Sequence, residues 1–196
     1  MKETYSTTGI IKLLQAKELS LLTLNDFSKL FNIDNRQTLY KKIARLEKAQ
    51  IIQKLIKGKY RFLFQPADDF TLANFIYQPS YISLESALSF YGIITGFPYR
   101  ITSISIKPTK LIEVGQKEYI YSQIEKSLFW GYTKLDNFLI AEKEKALLDY
   151  IYFGIKGLRN LSFDEMDFSE IDKNKLAGYT KKINNRRVTK VIKSIS

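Results

Sequence analysis

No histidine and no cysteine occur among the 196 residues. That absence removes the imidazole base, the thiolate nucleophile, the zinc finger and the Ser-His-Asp arrangement together. Only carboxylate, lysine, tyrosine or serine chemistry is left, so a binding protein is expected rather than an enzyme. Without cysteine there is no disulfide framework, which fits a cytoplasmic protein. No apolar run approaches the roughly 18–20 residues of a membrane span. The stretch Met1-Lys2-Glu3-Thr4-Tyr5 also lacks the apolar character of a signal peptide. Neither a metal ion nor a cofactor is expected.

What is present is apolar and unevenly charged. A hydrophobic share of 45% with 14% aromatics suffices for a packed core and argues against wholesale disorder. The net charge is +11, but residues 1–66 carry 13 basic and 5 acidic side chains, residues 67–172 carry 10 and 15, and residues 173–196 carry 8 and none. Two basic ends flank a mildly acidic middle, and a basic segment suits a polyanion such as nucleic acid.

The first third has a recognisable order. Residues 6–19 read as a helix capped by Ser6, Thr7 or Thr8, with Ile10, Leu13 and Leu14 on one face. A second helix is expected at about 24–31, with Asn25 and Asp26 as caps and Phe27, Leu30 and Phe31 inward. After Asn32-Ile33-Asp34-Asn35, a third runs from Arg36 to about Ala49. Leu39, Ile43, Leu46 and Gln50 share one side of it, and Gln37, Lys41, Ala44 and Lys48 lie opposite. Then the period becomes alternating, at 52–56 and 60–64, around Lys57-Gly58-Lys59. Three helices and a basic hairpin are the order of a winged helix-turn-helix.

Such a head binds double-stranded DNA through its third helix and its wing. Lys41, Arg45 and Lys48 suit phosphates, while Gln37, Thr38 and Tyr40 suit base edges or the sugar-phosphate wall. Arg36 suits either role, though its helical angle places it nearer the core side. The wing adds Lys54, Lys57, Lys59 and Arg61, with Lys57 and Lys59 foremost at the tip. A winged helix used for protein docking is the alternative use of the same fold.

The expected fold class is α+β. Residues 1–66 form the winged helix-turn-helix. Residues 67–80 form a linker with a short helix at about 69–76, and residues 81–196 form a mixed α/β domain with a basic helical tail. In that domain Ser83 is a natural N-cap and Gly92 a natural C-cap for a helix between them. Strands are expected at 101–107, 111–114, 117–123 and 137–141. Glu142–Phe153 reads as an amphipathic helix with Ala146, Leu147, Tyr150 and Ile151 inward.

The run Tyr40-Lys41-Lys42-Ile43-Ala44-Arg45-Leu46, Ile51 and Lys57-Gly58-Lys59-Tyr60 resembles the head of AbiEi-type antitoxins of bacterial abortive-infection systems. Tyr81-Ile82-Ser83-Leu84-Glu85-Ser86-Ala87-Leu88 through Gly92, and Ala141-Glu142-Lys143-Glu144-Lys145-Ala146-Leu147-Leu148-Asp149, resemble two further blocks of that family. The likeness spans roughly residues 5–155. It implies a C-terminal antitoxin domain and a head that represses its own operon at inverted repeats in the promoter. It also implies a functional, not necessarily contacting, relation to a co-encoded nucleotidyltransferase toxin. One departure is Ala49-Gln50, where the family usually has Gly between recognition helix and wing. A left-handed Gln costs about 1 kcal/mol relative to Gly, so either the helix runs on or the turn differs.

Two rival functions fit other features. Carboxylates and lysines cluster at Asp136, Glu142, Lys143, Glu144, Lys145 and Asp149, as in a nuclease. Their Glu-Lys-Glu-Lys order and helical period speak against it, since first-turn carboxylates and local ion pairs explain them. The other rival is a one-component transcription factor with a ligand-sensing C-terminal domain. Tyr91, Phe97, Tyr99, Phe129, Trp130 and Tyr132 would line its pocket, although such aromatics are commonly core. The tail cations Lys181, Lys182, Arg186, Arg187, Lys190 and Lys193 suit phosphate contacts, RNA or a solvated face, the last being favoured.

Overall fold

A computed structural model describes residues 6–96 and 98–195. The chain is α+β and divides into two compact units, the first ending at Ile76 and the second starting at Tyr77.

The first unit runs α1 (Thr7–Ala16), β1 (Leu21–Thr23), α2 (Leu24–Phe31), α3 (Arg36–Lys48), β2 (Ile52–Ile56), β3 (Lys59–Phe62) and α4 (Asp69–Ile76). β3 lies between β1 and β2, antiparallel to both. Each helix starts where a short polar side chain can satisfy its free N–H groups. Ser6 accepts from the Gly9 amide, and Asn35 accepts from the Thr38 amide at 3.0 Å. The caps expected for α2 were Asn25 and Asp26, but Thr23 holds that position. Its hydroxyl accepts from the Asp26 amide at 3.2 Å, and the Asp26 carboxylate accepts from the Thr23 amide at 2.7 Å. β1 ends at Thr23, so strand end and cap are one residue. At three residues, β1 is too short to show a period in the sequence.

Ile10 and Leu14 of α1, Leu22, Phe27 and Phe31 of α2, and Leu39, Ile43 and Leu46 of α3 join Ile52, Tyr60 and Phe62 in one buried cluster. Phe27 stacks on Phe31 and meets Tyr60 edge-on, which fixes α2 against the hairpin. The hairpin register shifts between Lys54 and Ile56. One extra residue there makes Ile52 and Leu55 the buried positions, so simple alternation fails along β2.

Gln50 is not on the apolar side of α3 as its spacing suggests. It is exposed and left-handed, with φ of 54°. The Gln50 amide donates to the Glu47 carbonyl and the Ile51 amide to the Leu46 carbonyl, each at 3.0 Å. Leu46 and Ile51 are both buried. This is the hydrogen-bond pattern that normally places Gly at the left-handed position. The helix does not run on; the turn keeps its shape and Gln bears the strain.

The second unit runs β4 (Ser80–Ile82), α5 (Leu84–Phe90), β5 (Ile101–Ser105), β6 (Lys110–Val114), β7 (Lys117–Gln123), a 3-10 turn (Lys126–Leu128), β8 (Tyr132–Leu135), β9 (Phe138–Ala141), α6 (Lys143–Gly154), α7 (Lys173–Ile183) and α8 (Arg186–Ile195). Its strands form one mixed sheet in the order β6-β7-β5-β4-β9-β8, with β4 parallel to β9 and β5 parallel to β7. α6 is not amphipathic in its surroundings: every residue from Glu144 to Phe153 is buried. It contacts α5 and β9, and α7 and α8 also pack against it, so its polar side is covered too. The stretch 67–80 contains α4 and the first residue of β4.

The turn after α3 gives a direct test. Replacing Gln50 by Gly should raise the stability of the first unit by up to about 1 kcal/mol, because Gly adopts this conformation without a Cβ clash. Urea unfolding followed by far-UV circular dichroism would measure it, and a lower stability would contradict the strain assigned to Gln50.

Candidate functional site

α3 is held by its buried side, Leu39, Ile43 and Leu46, so its other side faces out by construction. Arg36, Gln37, Thr38, Tyr40, Lys41, Ala44, Arg45 and Lys48 are all exposed. At 100° per residue, Gln37, Lys41, Ala44, Arg45 and Lys48 lie opposite the core, with Arg36 and Tyr40 on one flank and Thr38 on the other. Arg36 keeps the helical angle expected of it, nearer the core side than Gln37 or Lys41, yet as the first residue of α3 it is exposed. Glu47 lies on the Arg36 flank, so the outward face carries Lys41, Arg45 and Lys48 with no carboxylate among them. Thr38 is engaged locally, its hydroxyl 3.3 Å from Asn35 Oδ1. Lys42, turned toward α2, stands 4.3 Å from the centre of the Phe31 ring, and burial pulls its ammonium down.

The hairpin cations separate into two kinds. Lys54 and Lys57 are exposed, and Gly58 at φ of 77° closes the turn beside Lys57. Lys59 is different. Its Nζ donates to the carbonyls of Phe75 and Ile76, the latter at 3.2 Å, and lies 5.1 Å from the centre of the Phe75 ring. These carbonyls end α4, where backbone acceptors lack intrahelical partners and the helix dipole is negative. Lys59 thus ties the hairpin to α4, whereas Lys57 at the tip is exposed and, among the described residues, pairs with no carboxylate. Arg61 is half-buried between Leu21 and Gln53 on the neighbouring strands, and its Nε is buried without a hydrogen-bond partner. Neither role was legible in the sequence, because α4 lies ten residues beyond Lys59 and its end is fixed only by the fold.

In the second unit the structure joins two sequence blocks, 81–92 and 141–149, through residues 64 to 68 positions apart. Lys145 and Asp149 of α6 form an ion pair with 0% and 1% of their side chains exposed. Asp149 Oδ2 also accepts from the Tyr81 hydroxyl at 3.0 Å and the Ser83 hydroxyl at 2.8 Å, while Lys145 Nζ donates to Tyr81 Oη at 3.0 Å. Burial first, and then the charge of Asp149, hold the Tyr81 phenol well above its ordinary value, so it stays a neutral donor. Ser83 occupies the N-cap position of α5 but makes no cap bond, because its hydroxyl is turned to Asp149. Trp130 and Tyr81 place their rings 5.1 and 5.4 Å from Lys145 Nζ. A Cβ on Gly131 would come within 3.0 Å of Lys145 Cγ, so glycine there lets the chain close over the lysine stem.

The carboxylates that precede this pair bind the tail. Glu144 accepts from the Asp172 amide at 3.1 Å and from Lys175 at 3.1 Å, while Glu142 pairs with Lys175 and accepts from the Tyr179 hydroxyl. Burial and the bond to Glu142 push the Tyr179 phenol up to about 12. Lys143 pairs with Glu170 at 2.8 Å. Of the nuclease-like cluster, Asp136 and the α6 residues are not brought together: Asp136 lies in the β8–β9 turn, and Lys145 and Asp149 are closed off from solvent.

The aromatic set meets several fates. Phe129 and Tyr132 pack on Tyr81, Trp130 lies edge-on to Tyr179, and Tyr91 donates to the Ala141 carbonyl. Among the described members of the set, Tyr99 lines a cleft of about 380 Å³ shared with Glu85, Arg100, Thr102, Ile120 and Arg159. Phe97 lies outside the described residues.

Replacing Asp149 by Asn should destabilise the second unit by about 3–5 kcal/mol, because Lys145 would keep its charge without its counter-ion. The double replacement Lys145→Met with Asp149→Leu should recover most of that loss. Urea titration followed by the fluorescence of Trp130, the single tryptophan of the chain, reads this unit selectively. A loss below about 1 kcal/mol for Asp149→Asn would show that the pair does not hold the core. Compared with family models and with curated proteins, the chain matches none of them.

Proposed function

We propose that this chain is a DNA-binding regulator of the antitoxin kind. Its first unit would act as a winged helix-turn-helix that represses its own operon, and its second would counteract a co-encoded nucleotidyltransferase toxin. The observation that carries the first half is the outward face of α3, which presents Lys41, Arg45 and Lys48 with Gln37 and Tyr40 and no carboxylate. Cations beside an amide and a phenol are what backbone positioning and base-edge readout require together. Arg36, Lys54 and Lys57 extend this surface, and Lys59 and Arg61 support it by position. Inverted repeats in the promoter are the DNA partner. The second half rests on the resemblance of 81–92 and 141–149 to AbiEi-type antitoxins. The bonding of these blocks through Tyr81, Ser83 and Asp149 supports their belonging to one unit.

A second function, ligand-gated transcription, is favoured by the cleft lined by Tyr99, Arg100 and Arg159. A nucleotidyltransferase gene beside this one supports the antitoxin, whereas a metabolic operon supports the sensor.

About six phosphate contacts give a slope of log affinity against log salt near −5. In the full chain, K41Q/R45Q/K48Q/K57Q should make that slope less steep by about 3–4 on promoter DNA and abolish repression, yet still rescue cells from the toxin. An unchanged slope would rule out α3 as the DNA surface, and loss of rescue would place the antitoxin activity in the same residues.

A further inference from the structure

Residues 173–195 hold eight Lys or Arg and no Asp or Glu. On α8, Val188 and Ile192 are buried and Val191 and Ile195 half-buried, while Arg186, Lys190 and Lys193 are exposed along the other side with Arg187 beside them. These three stand at i, i+4 and i+7, a row about 10 Å long. α7 adds Lys181, exposed, and Lys182, whose Nζ stands 4.0 Å over the Trp130 ring. Among the described residues, only Lys175 of the eight pairs with a carboxylate. The rest of the same unit, residues 77–172, holds 13 acidic and 10 basic side chains. The unit's excess of positive charge therefore sits in these two helices, while the stretch before them mixes both signs.

The row has a definite chemistry. Like charges at i, i+4 repel, and nothing within the described helices offsets them. A membrane-surface helix needs its apolar side free to enter lipid, and that of α8 is already packed against α6 and α7. The amide and phenol groups that accompany the cations on α3 are missing from this row. What remains is a straight line of long cations, complementary to a regularly charged backbone.

We infer that α7 and α8 form a second nucleic-acid surface, which holds the phosphate backbone of duplex DNA without reading its sequence. The inference needs only the charge of these two helices and does not rest on the role proposed for α3.

The test uses the full chain and a random-sequence 24-base-pair duplex, with fluorescence anisotropy across a salt series. R186Q/R187Q/K190Q/K193Q should make the log–log salt slope less steep by about 3, both in the otherwise native chain and in the K41Q/R45Q/K48Q/K57Q background. The charge-keeping variant R186K/R187K/K190R/K193R should bind as the native chain does, which separates charge from folding. An unchanged slope on neutralising α8 overturns the inference. So does equal loss in the charge-keeping variant, or preference for polyglutamate or for an RNA duplex of the same sequence over the DNA. A normal α8 effect with no α3 effect would leave this inference standing and sink the function proposed for α3.

Discussion

Lys145 and Asp149 are the pair on which the second unit depends. Two charges removed from water are tolerated only when each is matched and the remaining lone pairs are bonded. Asp149 meets that condition by drawing on Lys145, Tyr81 and Ser83 at once. Tyr81 and Ser83 flank the end of β4, next to β9 in the middle of the sheet, and so the network fixes how α6 lies on the strands. The requirement propagates into the backbone. Ser83 gives up its cap bond, and the next residue, Leu84, is left-handed at φ of 56° although it has a bulky side chain. A conformation of that kind costs roughly 1–2 kcal/mol. It persists in a turn held from two sides: the Ser83 hydroxyl donates to Asp149, and Thr102 accepts from the Ser83 and Ser86 amides and donates to the Ser83 carbonyl.

From this anchored helix the polar interactions run outward. Glu142 and Glu144, at the start of α6, bind Lys175, Tyr179 and the Asp172 amide, and thereby dock α7. From Glu144 to Phe153 α6 therefore has no solvent face: its charges serve as fastenings on both sides. The cations left over in α7 and α8 are free of this system because their helices use their apolar sides for packing.

The first unit obeys a different constraint, the satisfaction of helix ends. Thr23 and Asp26 start α2, Asn35 starts α3, and the bonds of Gln50 and Ile51 end it. The same need explains Lys59, which satisfies the last carbonyls of α4. In the DNA-binding role proposed for this unit, a cation committed to helix carbonyls would not be the leading phosphate contact, whereas Lys41 and Lys57 carry no such commitment. The useful surface is thus defined as much by which charges are occupied as by which are present.

Local information was sufficient for much of this. The spacing of Leu39, Ile43 and Leu46 determined α3 and its outward cations, and Phe27 and Phe31 marked α2, because a helix period needs only near neighbours. Gly58 and the change of period marked the hairpin. The deciding features of β1, Leu55, Gln50 and Lys59 came from tertiary structure: a three-residue strand, a bulge, a strained turn and a distant helix end leave no periodic trace. Arg36, nearer the core side by its angle, is exposed at the start of α3. Most of all, the sequence showed Lys145 and Asp149 as an ordinary i, i+4 pair. Only the fold buried it and gave it Tyr81 and Ser83, because desolvation depends on what the rest of the chain stacks around a charge.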